Sequence, residues 1–215
     1  MTDARLDACI RELTDDLRPV RPLRSPWLRA MAWLALVAAL AGALACFSDA
    51  SAVAERLRAA RDMWLAPLGS ALTAALAAVA ALQLSLPDRS PRWALLPIPG
   101  AVLWAAATGM GCLRTWVIPD LDPTPFAHSV RCFAFLLTVS APLSAVLLAM
   151  VRRAYPLRPN LAAASSGLAV AAAAATLLTF FHSYDVSALD VLVHAVAIAA
   201  VVAINRAVGG RLLRR

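Results

Sequence analysis

Six times along its length the chain runs for about twenty residues with no charged side chain in the middle third of the run: over 27–47, 63–86, 93–112, 132–151, 161–181 and 189–208. A helix rising 1.5 Å per residue needs ~20 residues to cross ~30 Å of hydrocarbon, so each run is long enough to span a bilayer. Lipid offers no hydrogen bonds to the backbone, which restricts such a run to helix. The expected fold is therefore an all-α integral membrane protein, a six-transmembrane-helix bundle without strands. Composition agrees, with 61% hydrophobic residues, 15% charged residues and a mean hydropathy of +0.72; these runs are too long and too many for a water-soluble core of this size. The third run carries Pro97 and Pro99 in its first turns, where proline is tolerated or bends a helix. The fifth contains "AVAAAAAT", which gains little per residue from transfer into lipid and is expected to rely on packing through Ala163, Gly167 and Ala171. No cleavable signal fits, because the first run is about membrane length and five more follow.

The net charge is +7, and all twenty basic residues are arginine. They lie between the apolar runs and form no basic face interleaved with aromatics, so direct nucleic-acid binding is not expected. Their distribution instead sets topology. With the N-terminus inside, the inner segments hold Arg5, Arg11, Arg18, Arg21, Arg24, Arg29, Arg89, Arg92, Arg152, Arg153, Arg158, Arg206, Arg211, Arg214 and Arg215, fifteen of the twenty. Both termini are expected in the cytoplasm. Trp27, Trp33, Trp64, Trp93, Trp104 and Trp116 fall mostly near run ends and read as interfacial anchors.

Ahead of the first run stands a charged head that cannot continue as helix into it. Leu6, Ile10, Leu13 and Leu17 recur at helical spacing with Cys9 on the same side, while Arg5, Asp7, Arg11, Glu12, Asp15, Asp16 and Arg18 cover the other. This predicts an amphipathic helix of about fifteen residues from Thr2 or Asp3, stopped by Pro19. Pro19, Pro22 and Pro26 then favour an extended spacer. The expected organisation is a tail over 1–26 and a bundle over 27–215. A lone helix of this length is marginal in water, so its apolar stripe needs a surface: the short inner loops, lipid, or a groove on a soluble protein. Its polar face has more carboxylates than cations, which argues for the protein groove over lipid.

The segment "LTDDLRPVRPLRSPWLRA", 13–30, resembles the head of the NrsF-type family, the negative regulators of sigma F, whose members carry a D-L-x-P-V-x-x-L-x-x-P segment followed by six spans. "AYPLRP" at 154–159, Pro142 within the fourth run, and the closing "GGRLLRR" are similar to family features in the same order. The resemblance implies an anti-sigma factor of the bacterial inner membrane. Such a protein holds an extracytoplasmic-function (ECF) type sigma factor through its N-terminal tail and releases it under envelope, oxidative or metal stress. Carried onto this chain, Leu6, Ile10, Leu13, Leu17, Pro19 and Val20 supply apolar contacts, and Asp15, Asp16, Arg18 and Arg21 polar ones. The partners implied are that sigma factor and membrane lipid.

Cys46, Cys112 and Cys132 fall at outer run ends, with His128 in the loop between the third and fourth runs and His182 at the outer end of the fifth run. In an oxidising compartment three thiols permit one disulfide with a thiol left over, or a soft-metal site with a histidine. The resemblance implies a family cysteine at Cys132 and another just after the position of His182. Here that second position is Ser183. Signal-sensing candidates are thus Cys132, Cys112, Cys46 and His182, and His194 reads as a hydrogen-bonding residue inside the bundle.

The competing reading is a small membrane oxidoreductase or transporter with a periplasmic thiol site. An oxidoreductase relay needs Cys-x-x-Cys or paired cysteines, and a proton-coupled transporter needs ionisable residues within broken spans. The chain has neither pattern, nor H-E-x-x-H, G-x-S-x-G or a nucleotide loop. No enzymatic activity and no cofactor are expected.

Overall fold

The computed structural model describes residues 3–15, 23–48, 64–117, 126–181 and 188–213. Among them are seven α-helices and no strand: α1 Asp3–Asp15, α2 Pro26–Ala45, α3 Leu65–Leu84, α4 Ile98–Val117, α5 Phe126–Arg152, α6 Pro159–Leu178 and α7 Ala188–Leu212. A 3-10 helix, Pro91–Leu95, precedes α4. Six helical segments are long and apolar enough to cross a membrane. With the spans making up most of the chain, this is a multi-pass membrane protein.

The core is the pair α3 and α6. α7 packs on α6, α4 on α3, α5 against both α6 and α7, and α2 against α3 and α5. In lipid, helix association gains little from apolarity and depends on close packing, for which small side chains are best suited. α6 is the extreme case, with 78% of its apolar stretch buried against 17% for α2 and for α7. Ala163, Gly167 and Ala171 are all buried there. At Gly167 an added Cβ would stand 2.8 Å from the Val202 Cα, so glycine sets the approach of α6 to α7. A hydroxyl pair, Ser70 Oγ and Thr176 Oγ1 at 2.8 Å, joins α3 to α6.

Two boundaries differ from the sequence expectation. The third span begins as 3-10 helix and turns regular only at Ile98, because an α-helix running on from Pro91 would need N–H groups at positions 97 and 99, which Pro97 and Pro99 lack, whereas in a helix starting at Ile98 they fall at or before the first turn. Its entry is held by the Ser90 hydroxyl, which accepts from the Arg92 amide at 3.3 Å. The fourth begins at Phe126, six residues before Cys132, and runs for 27 residues with Pro142 inside. At roughly 40 Å it is longer than the hydrocarbon is thick, so its end turns project or the helix tilts.

One end of the bundle gathers the start of α2, the α3–α4 and α5–α6 connections and the end of α7. Arg158 Nη1 donates to the Arg89 carbonyl at 3.3 Å. Trp27 meets Trp93 edge-on at 6.5 Å between ring centroids. Gly209, near the end of α7, lies against Ala163 of α6 and Leu148 of α5. This is the end that carries Arg24, Arg89, Arg92, Arg152, Arg153, Arg158 and Arg211.

Candidate functional site

The leading helix α1 stands clear of the bundle. All of residues 4–15 are exposed, including Leu6, Ile10 and Leu13, whose spacings of four and three place them on one side of the helix. Leu13 is 67% exposed, so that among the described residues most of its apolar surface is uncovered. Asp15 is the last residue of α1. Asp16, Leu17, Arg18, Pro19, Val20 and Arg21 lie outside the described residues.

Where the head joins the membrane part, the chain is fixed residue by residue. Ser25 caps α2, its Oγ accepting from the Leu28 amide at 3.3 Å, and Pro26 occupies the first turn, where its missing N–H is no loss. One turn on, Arg29 is buried and donates through Nη2 to the carbonyl of Met150. Met150 belongs to the last turn of α5, whose carbonyls have no partner within the helix, so a cation completes that end and meets the negative pole of its dipole. Trp33, on the same side of α2 four residues later, is 1% exposed, and its Nε1 donates to the Leu143 carbonyl at 3.4 Å. The start of α2 is thereby pinned to the C-terminal half of α5.

Trp33 departs from the interfacial role expected of the tryptophans. An indole anchors at the headgroups because its N–H needs a polar partner; here that partner is a backbone carbonyl inside the bundle. Trp27 and Trp64 are exposed as anchors would be, and Trp93 and Trp104 are half-buried. The side chain of Trp116 lies outside the described residues.

At the other end Cys132, in the second turn of α5, is buried with Leu136 against Ala174, Ala175 and Leu178 of α6 and Ala197 of α7. Cys46 is exposed at the C-terminal cap of α2. His128 falls in the first turn of α5 and not in a loop; its side chain, the Cys112 side chain, and His182 and Ser183 lie outside what is described. His194 is half-buried on α7. Among the described residues no group of three or more His, Cys, Asp and Glu side chains is placed to hold a metal ion.

Sequence reasoning counted Arg29 only towards topology and passed over Asn205. Asn205 is 3% exposed on α7, and its Nδ2 donates to Ser144 Oγ on α5 and to the Val201 carbonyl, both at 2.9 Å. The signal for Arg29 was present in its i, i+4 spacing with Trp33 on a helix otherwise apolar. Single amides and hydroxyls in an apolar run give no comparable pattern.

A family profile described as negative regulator of sigma F matches residues 13–214. No curated protein and no solved structure matches the chain.

Proposed function

Because the chain belongs to the family of negative regulators of sigma F, we propose that it is a membrane-held anti-sigma factor whose first 26 residues capture an ECF-type sigma factor on the cytoplasmic side. Capture denies the sigma factor to RNA polymerase, and envelope, oxidative or metal stress releases it. The protein has no enzymatic activity. What supports the reading, beside the family, is the exposure of Leu6, Ile10 and Leu13 on the leading helix α1. An uncovered stripe of this kind fits the helix-in-groove mode of recognition, with anchors at spacings of three and four.

The positive-inside distribution supports the inner location of that helix, since the arginine-bearing connections sit at the end of the bundle where α2 begins. The bacterial inner membrane is the membrane where that rule and a cytoplasmic sigma factor meet. Perception at the outer end is assigned to Cys132, with Cys46, Cys112 and His182 as further candidates.

The test is co-purification of the cognate sigma factor with the full-length protein, intact or carrying Ile10→Asp with Leu13→Asp. Two carboxylates forced into an apolar groove cost several kcal/mol, so the double variant is expected to lose the sigma factor while still folding in the membrane. Undiminished recovery refutes the tail as the capturing element.

A further inference from the structure

Between α5 and α7 lies a cleft of about 830 Å³, open to the side and lined for most of its length by apolar residues such as Leu137, Leu148, Val201 and Ile204. Three features separate it from an ordinary lipid-facing groove. Its mouth carries Arg152, Arg153 and Tyr155. Tyr155 is held there with φ 50°, a left-handed conformation that a side chain bearing Cβ seldom adopts. Deep in the cleft are two polar side chains, Ser140 and Asn205, each 3% exposed, and neither Ser140 Oγ nor Asn205 Oδ1 has a hydrogen-bond partner. The Asn205 amide nitrogen already spends its bonds on Ser144 and on the Val201 carbonyl, so the orientation of Oδ1 is fixed.

An orphaned acceptor at membrane depth is costly, because lipid tails supply no donor. Asn205 Oδ1 requires a donor, whereas Ser140 Oγ can donate or accept. Ser140 is one turn from Ser144, to which Asn205 is bonded, so one hydroxyl entering the cleft could donate to Oδ1 and accept from the serine. From Ser140 to Arg152 is twelve residues of α5, about 18 Å, close to half the ~30 Å thickness of the hydrocarbon. The arginines mark the headgroup level and the polar pair lies near mid-membrane.

We propose that this cleft binds an anionic single-chain amphiphile from the surrounding bilayer, with its carboxylate on Arg152 and Arg153 and its hydroxylated acyl chain laid between α5 and α7. The mid-chain hydroxyl is what the site selects. A second copy of this chain fits less well, since it would bring further arginines to a mouth that is already cationic and would leave the polar pair facing apolar side chains.

Ricinoleate and oleate, which differ by a mid-chain hydroxyl, are suitable probes. They would be titrated onto the full-length protein in nanodiscs of neutral phosphatidylcholine, with bound fatty acid counted by native mass spectrometry. Ricinoleate is expected to bind at least tenfold more tightly than oleate. Ser140→Ala, which removes a hydroxyl that bonds nothing in the bundle, narrows that difference several-fold and leaves oleate unchanged; Asn205→Leu abolishes it. Arg152→Gln with Arg153→Gln weakens both probes. Should Asn205→Leu fail to fold, the serine variant still decides. Equal affinity for the two probes, a preference that survives Ser140→Ala, or a self-associated form that covers the cleft and excludes both probes would overturn the assignment.

Discussion

Arg29 shows how one side chain can serve two helices. Its position early in an apolar run suggests a snorkelling cation that keeps its head in water, but its guanidinium is turned inward and finishes the C-terminal turn of α5 through the Met150 carbonyl. A hydrogen bond from a charged donor contributes about 1.5–3 kcal/mol. Against that stands the desolvation of a buried guanidinium, one of whose terminal nitrogens, Nη1, has no partner. The carbonyl tips the balance, since without the arginine it is left open on a half-buried residue of the last helical turn. Arg29→Met is therefore expected to lose on the order of 1 kcal/mol, read as a lower thermal midpoint of the detergent-solubilised protein. A midpoint equal to that of the unaltered chain would mean that relief of burial offsets the lost bond. The i, i+4 spacing puts Arg29 on the same side of the helix as Trp33, but a buried and an interfacial arginine would both sit one turn inside an apolar run, so the neighbouring helix decides which it is.

At the level of helices, existence and type were legible in the sequence, and the physical reason is simple. A span must be helical and must be about twenty residues long, so a count of apolar residues fixes both. The ends were less so. Pro97 and Pro99 gave warning of an irregular entry to the third span, while the early start of α5 at Phe126 had no such marker, as a helix that projects beyond lipid is no longer obliged to be apolar. Which faces meet was hardest to read, except where side chains are too small for any other role. Gly167 is such a place: α7 comes so near that an added Cβ would stand 2.8 Å from backbone at Val202 and 3.0 Å from the Asn205 Cβ. Gly42 on α2 has no atom within 4 Å of that position. Gly167→Leu is thus expected to lose roughly 2 kcal/mol or more through overpacking, and Gly42→Ala to be neutral or to gain up to about 1 kcal/mol of helix propensity. Thermal unfolding of the two variants side by side checks the pair. Equal effects would show that α6 and α7 are not in close register at this point.

For the molecule as a whole, the proposed function needs α1 and the candidate sensing cysteines on opposite sides of one bilayer, and the cysteines already present offer a direct measurement. Cys9 is exposed on α1, ahead of the first span; Cys46 is exposed just after it. One crossing separates them, so whichever compartment holds the first, the other holds the second. The arginine-bearing connections lie at the same end as the start of α2, and the positive-inside rule assigns that end to the cytoplasm. That Leu6, Ile10 and Leu13 share one side of a helix was legible in the sequence from their spacing, whereas no spacing places the sensing candidates relative to one another, because residues that meet across a bundle are remote in the chain. Variants retaining Cys9 or Cys46 as their single cysteine would be treated, in intact spheroplasts, with a maleimide that does not cross membranes. Labelling of Cys46 is expected at once, and labelling of Cys9 only after the membrane is opened. The reverse order would place the leading helix outside the cell, where no sigma factor can meet it, and would remove the anti-sigma reading of the tail while leaving the helical bundle and the α5–α7 cleft as described.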